Sequence, residues 1–113
     1  MIKEILKAAG VLLPEDDGRF LRLPDQTHAA ILDDIDVDGA DPVPDASGLT
    51  RIYRHNVSVE VYEPVPDDAC EVAIEAGLNA RGIHWSKQAR YWLQDVQRYQ
   101  VIYEFTYTEK RRT

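Results

Sequence analysis

The feature that most constrains the fold is a strict alternation of apolar and polar residues between Arg51 and Tyr62. One parity of this run carries Tyr53, His55, Val57, Val59 and Val61, and the other carries Arg54, Asn56, Ser58 and Glu60. Successive side chains of a β-strand point to opposite faces of its sheet. The run therefore predicts a strand with one face buried in a core.

Two further segments have the same two-residue period. In residues 29–38, Ile31, Ile35 and Val37 share one parity, and aspartates occupy the other. In the segment Tyr99–Tyr107, aromatic residues and Val101 alternate with Gln100, Ile102, Glu104 and Thr106. We expect both segments to be strands. Shorter extended pieces are predicted at 83–85 and 91–96, with a turn near 95–98.

Helical spacing occurs in two places. Residues 2–9 carry apolar side chains on one face, and Gly10 is a suitable stop. The second helix is predicted over 68–81, opened by Asp68 with Glu71 as a capping pair and ended by a glycine. Gly77 lies inside this helix and weakens it by roughly 1 kcal/mol relative to alanine. A close packing contact at Gly77 would explain its presence.

This order of elements predicts an α+β fold, with a single antiparallel or mixed β-sheet and two helices packed on one face. The length of 113 residues suits one domain, 1–113. Residues 39–50 are rich in Gly, Pro and Asp and predict a flexible acidic loop. The basic residues near the end predict a frayed tail at 109–113.

The charge of the chain limits the partners that it can have. The net charge is −7 and the sequence pI is about 4.8, which argues against a general nucleic-acid binder and against an anionic membrane surface. No apolar run approaches the length of a membrane span, and we expect no signal peptide. A single cysteine, Cys70, forms no intrachain disulfide and favours a reducing setting.

An acidic motif imitates a calcium-binding loop. Asp34, Asp36 and Asp38 alternate ahead of Gly39, and Asp45 stands at the twelfth position. The last position lacks the bidentate glutamate of such loops, and the following prolines obstruct a second helix. A strand with aspartates on its solvated face explains the motif better, so no metal site is predicted.

The other reactive residues form no recognisable catalytic set. His28, His55 and His84 lack zinc-ligand spacing, and His55 falls on the apolar face of its strand. Cys70 lies among apolar helical neighbours, and neither Ser47 nor Ser58 has the context of a nucleophile elbow. The Tyr99–Tyr107 aromatics suit a core or an interface better than a stacking platform. We expect no catalytic residues, no cofactor and no enzymatic activity.

From about residue 51 onward, over about half of the chain, the sequence resembles the tail-completion or tail-terminator proteins of long-tailed phages and prophages. The resemblance is carried by a strand ending in Tyr, a helix, a Gly-Ile turn with an aromatic residue and a closing strand. These are Ile52-Tyr53 to Val61-Tyr62-Glu63, Asp67 to Arg81, Gly82-Ile83-His84-Trp85 and Tyr99-Gln100-Val101-Ile102-Tyr103-Glu104. These motifs are patterns of fold rather than of catalysis.

The resemblance implies a structural virion protein that forms a ring, typically hexameric, on the tail tube and joins it to the head connector. Its partners would be copies of itself, tube proteins and connector proteins. DNA would pass through the ring without specific binding, and the protein would be in the host cytoplasm during assembly. An open strand edge, such as that of residues 51–62 or 99–108, would pair between copies. An acidic lumen would let DNA slide.

Two other classes of function remain open. The main alternative is a small adaptor or inhibitor domain that binds a cellular protein through a sheet edge or its aromatic face. A second is a minor calcium-binding module built on the aspartates described above.

Overall fold

The computed structural model describes residues 1–15, 20, 22–37, 43–45 and 48–112, with the backbone alone at the ends of some strands. The elements in order are α1 (Ile2–Ala8), β1 (His28–Val37), β2 (Val43–Asp45), β3 (Gly48–Glu63), α2 (Asp68–Ala80), β4 (Trp85–Leu93) and β5 (Arg98–Arg112). The α+β class is confirmed, because the strands form one antiparallel sheet and the two helices pack on one face of it.

The sheet has the strand order β1-β3-β5-β4, with β2 pairing the start of β3 in a hairpin. The strands β3 and β5 are therefore central. They pair from Thr50 opposite Arg112 to Glu63 opposite Tyr99 without a register shift. The strand β1 pairs β3 from His28 opposite Tyr62 to Val37 opposite Tyr53.

The alternation in β3 decides where the core lies. Its inward side chains Val57, Val59 and Val61 are buried opposite Phe105, Tyr103 and Val101 of β5. Helix α1 adds Ile5 and Leu6 to this cluster, and α2 adds Cys70, Ile74 and Leu78. Because all these residues join one cluster, both helices cover the same face of the sheet.

The two helices approach closely at Gly77. A Cβ atom at this position would lie 2.8 Å from Cγ2 of Ile5, which is shorter than real Cβ contacts. The predicted close packing contact at Gly77 is thus confirmed.

The molecule is elongated, with extents of 52 × 29 × 21 Å. Its radius of gyration is 16.5 Å, against about 13 Å for a compact domain of similar length. The pairing of β4 with β5 ends at Trp85 opposite Phe105, whereas β3 and β5 continue together to Arg112. The sheet therefore extends as a narrower arm, formed by Gly48–Arg54 and Thr108–Arg112.

Several local predictions need correction. The tail was predicted to fray from 109, but residues 109–112 are paired with Thr50–Tyr53 as the end of β5, and 113 lies outside the described residues. The extended pieces predicted at 83–85 and 91–96 contribute only Trp85 and residues 91–93 to one strand, β4, whose pairing has a register shift between Gln88 and Tyr91. This irregularity breaks the alternation of side chains along β4, so the sequence pattern predicts two separate extended pieces. Residues 83–84 precede this strand, and 94–96 lie in the turn that follows it.

Two further predictions concern a helix start and a loop. Asp67, not Asp68, caps α2 by accepting a hydrogen bond from the backbone N–H of Cys70 at 3.2 Å. Within the predicted acidic loop at 39–50, residues 43–45 and 48–50 pair as β2 and the start of β3, and the rest lies outside the described residues.

Candidate functional site

One face of the sheet carries no helix, and we call it the open face. Side chains of the parity opposite to the core line it: Leu32, Asp34, Asp36, Arg54, Asn56, Ser58, Glu60, Glu104, Thr106 and Thr108. A shallow concavity of about 600 Å³ crosses it between Leu32 and Trp85. This face carries the carboxylates of Asp34, Asp36, Glu60 and Glu104 together with the cations Arg54 and Lys110, so its charge is mixed and the carboxylates are in the majority.

The sheet has an unpaired border along β1. At its start, the N–H of Ala29 donates to the carbonyl of Leu12, and the N–H of Leu12 donates to the carbonyl of Thr27. Backbone groups alternate in direction along a strand, so those of residues 31, 33, 35 and 37 point to the same outer side as those of Ala29. Among the described residues, none pairs with this stretch, which we call the β1 border (residues 31–37).

On the opposite side, the outermost strand is β4, but it covers only part of β5. From Thr106 to Arg112, β5 has no strand neighbour on that side within the described ranges. We call this stretch the β5 border (residues 106–112). The open edge expected at 51–62 is therefore wrong, because β3 lies in the centre of the sheet. The open edge expected at 99–108 is correct only for residues 106–108.

A polar cluster joins three strands where the arm begins. His55 is 3% exposed, and its Nδ1 lies 2.9 Å from Oδ2 of Asp33 while its Nε2 lies 3.3 Å from Oε1 of Glu109. Its ring is stacked on Tyr107, with ring centroids 4.4 Å apart. An imidazole with one proton donates to one of these carboxylates, and with two protons it donates to both. The cluster therefore links β1, β3 and β5.

A second cluster lies between α2 and β4. Arg90 donates from Nε to Oε1 of Glu63 at 3.0 Å, and it also binds the carboxylates of Glu71 and Asp68. Glu63 is fully buried, and its Oε2 has no hydrogen-bond partner among the described residues. Burial, together with the neighbouring carboxylate of Glu71, raises the pKa of Glu63 to about 7.

The same cluster continues through Lys87. Its Nζ lies 2.8 Å from a carboxylate oxygen of Glu71 and 2.8 Å from one of Glu75. The hydroxyl of Tyr103 donates to Glu75 at 2.7 Å, and burial with this contact raises the pKa of Tyr103. Burial works against ionisation of Glu71, but its contacts with Glu63, Lys87 and Arg90 outweigh burial and lower the pKa of Glu71.

Sequence reasoning missed this cluster, although a signal was present. Glu63 shares the parity of Val57, Val59 and Val61, so the alternation already places it on the core face. A buried carboxylate needs a cationic partner, and Arg90 on the next strand supplies it. Glu63 and Arg90 are 27 residues apart in the sequence, so no local pattern predicts their contact.

The residues of the calcium-like motif do not converge. Asp34 and Asp36 lie on the open face, and Asp36 accepts a hydrogen bond from Nδ2 of Asn56 at 3.1 Å. Asp38 lies outside the described residues, and only the backbone of Asp45 is described, in β2. In the part of the chain that the structure describes, no group of three or more His, Cys, Asp or Glu residues could hold a metal ion.

The remaining sequence candidates lie apart from one another. Cys70 is buried, its thiol donates to the carbonyl of Ala9 at 3.4 Å, and burial raises its pKa to about 11. His28 is buried against Tyr62, and burial lowers its pKa. His84 is exposed, and Ser58 lies on the open face, opposite to that of His55. Ser47 lies outside the described residues.

Comparison with known proteins identifies no family: no family model matches the chain, and no curated protein gives a significant match. Neither helix in the described ranges is long and apolar enough to cross a membrane.

Proposed function

We propose that this protein is a structural, non-enzymatic tail-completion or tail-terminator protein that forms a ring, a hexamer when assembled, at the end of a phage or prophage tail tube. The proposal starts from the sequence resemblance over residues 51–104. Its partners are further copies of itself, the tail tube and the head connector. It acts in the host cytoplasm during assembly and then in the virion.

The observation that carries the proposal is a sheet whose backbone, in the described part of the chain, is unpaired on both sides. Exposed strand edges pair readily with other chains, and natural proteins usually protect them. Here the β1 border and the β5 border lie on opposite sides of one sheet within the described residues. A subunit with two different open borders is suited to head-to-tail association, which forms a ring when the rotation between copies closes and a filament when it does not.

The open face gives a second argument. A tube that conducts DNA needs an inner surface that does not bind phosphates, and carboxylates repel them. Asp34, Asp36, Glu60 and Glu104 lie on the face that the helices leave uncovered. We infer that this face lines the lumen and that the helices face outward.

The test is electron microscopy of the purified protein mixed with isolated tail tubes. We expect one ring of stain-excluding density at the connector end of each tube, and tubes of defined length. Tubes that remain bare in excess protein would contradict the proposal. The buffer matters, because interactions between charged surfaces weaken at high salt.

A small adaptor or inhibitor domain is the second candidate, because the same β1 border would accept a strand of a cellular protein. This reading predicts a one-to-one complex with such a protein and no rings on tubes. Mass measurement of the complex by light scattering separates the two.

A further inference from the structure

The two open borders differ in charge. The strand β1 contains Asp33, Asp34 and Asp36 and no Lys or Arg. The β5 border ends in Lys110, Arg111 and Arg112, preceded by one carboxylate, Glu109. Complementary charge on two unpaired strands of one subunit points to contact between two copies, because an acidic strand and a basic strand attract.

We propose that the β1 border of one copy pairs with the β5 border of the next copy, so that a single sheet continues from subunit to subunit. This inference rests on the proposed ring and names its interface. Both β1 and β5 run antiparallel to β3, so they are parallel to each other. Copies arranged head to tail with the same orientation would therefore join through a parallel strand pair.

The β1 border is suited to accept an added strand. Its pairing with β3 shows no register shift over ten residues, and it contains no Pro or Lys that would block an added strand. Leu32 and Ile35 are 56% and 46% exposed in the single subunit. Covering these apolar side chains with a neighbouring strand would add to the charge attraction.

The outer edge of β4 offers a poorer partner. Its pairing with β5 shifts between Gln88 and Tyr91, and such irregularities twist an edge away from a new strand. The β5 border lies just beyond the end of β4, and its first part, residues 106–109, is level with residues 34–37 of the β1 border across the sheet. Continuing the sheet through these two borders would also keep every open face on the same side.

The experiment uses two charge-reversed proteins. The acid-reversed variant carries Asp34→Lys and Asp36→Lys, and the base-reversed variant carries Lys110→Glu and Arg112→Glu. Asp33 is left in place because it contacts His55. A control with Asp25→Lys and Asp95→Lys has the same charge change as the acid-reversed variant, at exposed positions away from both borders. Thermal unfolding verifies that each protein folds.

Each reversed variant alone should lose rings on tail tubes, because its two borders now carry the same sign. An equimolar mixture should regain them, since every junction then joins opposite charges, and the control should behave like the parent protein. Rings formed equally well by each reversed variant would overturn the inference and leave the proposed function standing.

Sedimentation velocity of the mixture in solution, without tubes, separates the inference from the function. A one-to-one complex that neither variant forms alone supports the border pairing even if the parent protein never caps a tube. A mixture that neither associates in solution nor forms rings overturns the pairing. If lysine at 34 and 36 prevents folding, Asp34→Asn with Asp36→Asn replaces it, with weakened rather than lost assembly expected.

A backbone variant tests strand pairing apart from charge. The N–H of residue 35 points away from β3, so Ile35→Pro removes a donor from the β1 border and leaves the β1–β3 pairing intact. We expect Ile35→Pro to fold and to lose rings, and Ile35→Val to retain them. Full assembly by folded Ile35→Pro would contradict a strand-to-strand contact.

Discussion

Glu63 is a carboxylate that the strand period places in the core. It is fully buried beside Arg90 and Glu71. Burying a charge is costly unless it is paired, and removing one partner of a buried pair leaves the other uncompensated. The protonation of Glu63 therefore contributes to the stability of the folded chain, and this contribution depends on pH.

The pKa of Glu63 is raised from its ordinary 4.5 to about 7, so the folded protein retains a proton that the unfolded chain releases in this window. The free energy of unfolding should therefore fall as pH rises from about 4.5 to 7. Glu63→Gln should flatten this fall by about 1 to 3 kcal/mol. Urea unfolding at a series of pH values measures it. Glu104→Gln, on the exposed face, is the control, and an unchanged slope in Glu63→Gln would refute the assignment.

Gly77→Ala should destabilise the protein although alanine favours helix. The helix gains roughly 1 kcal/mol from the substitution, but the added methyl group meets Cγ2 of Ile5 at 2.8 Å. We expect a net loss of about 1 to 2 kcal/mol in thermal or urea unfolding. Ile5→Leu removes the Cγ2 branch, so Gly77→Ala should cost less unfolding free energy in the Ile5→Leu background than in the parent protein. Equal effects in both backgrounds would show that the contact is unimportant.

At the scale of elements, the start of α2 shows how a cap is shared between two parts of the chain. The carboxylate of Asp67 accepts hydrogen bonds from the N–H of Cys70 and from the hydroxyl of Thr27, which precedes β1. The helix end and the sheet are thus held by one side chain. The sequence pattern favours the neighbouring Asp68, because Glu71 follows it by three residues, as in a capping box.

Asp67→Ala should cost about 1 to 2 kcal/mol of unfolding free energy, since it removes both hydrogen bonds. Asp68→Ala should cost less than about 1 kcal/mol, because Asp68 is exposed and only adds a surface ion pair to Arg90. Urea unfolding of the two variants at one pH gives the comparison. The reverse order of effects would restore Asp68 as the cap.

Periodicity alone predicts most elements, and pairing does not follow from it. The helix at 68–81, the strand at 51–62 and the fold class follow from spacings of 3.6 and 2. The position of β3 at the centre of the sheet does not, because alternation reports burial on one face and says nothing about neighbours in the plane. The single strand β4 is predicted as two pieces for a related reason. Its pairing with β5 has a register shift between Gln88 and Tyr91, and this shift is a property of the pairing rather than of the local sequence.

The candidate site was less predictable than the fold. The aspartates of β1 were identified from the sequence, but as a calcium-like motif, and their place on an unpaired border emerges only with the topology. The ionic cluster depends on Glu63 at the end of β3 and Arg90 in β4, which are separated in the chain by α2. Contacts of this kind arise from tertiary packing rather than from local spacing.

At the scale of the whole molecule, the sheet divides the protein into a helical side and an acidic side. The acidic side is formed by alternate residues of β1, β3 and β5, with Asp34, Asp36, Glu60 and Glu104 spread over three strands. Toward the arm, beyond the end of β4, the charges on this face are those of Arg54 and Lys110. In a ring, a wall with this majority of carboxylates would line the passage.

Glu60→Lys with Glu104→Lys should turn this wall basic without touching the core. We expect assembled rings of the variant to retain double-stranded DNA in a gel-shift assay at low salt, and parent rings to let it pass. Retention should decline as salt rises. Thr106→Lys with Thr108→Lys tests the part of this face beyond the end of β4 in the same way. Variant rings that do not retain DNA would place the acidic face outside the lumen.

The pairing of β3 with β5 also governs when the chain can fold. A nascent chain that has produced β1, β2 and β3 exposes Val57, Val59 and Val61 until α2 and β5 are synthesised, because those later elements cover them. Native tertiary structure must therefore wait for translation of the closing strand, and a prematurely terminated product would remain a target for chaperones and proteases. The completed core therefore depends on the last strand that the ribosome delivers.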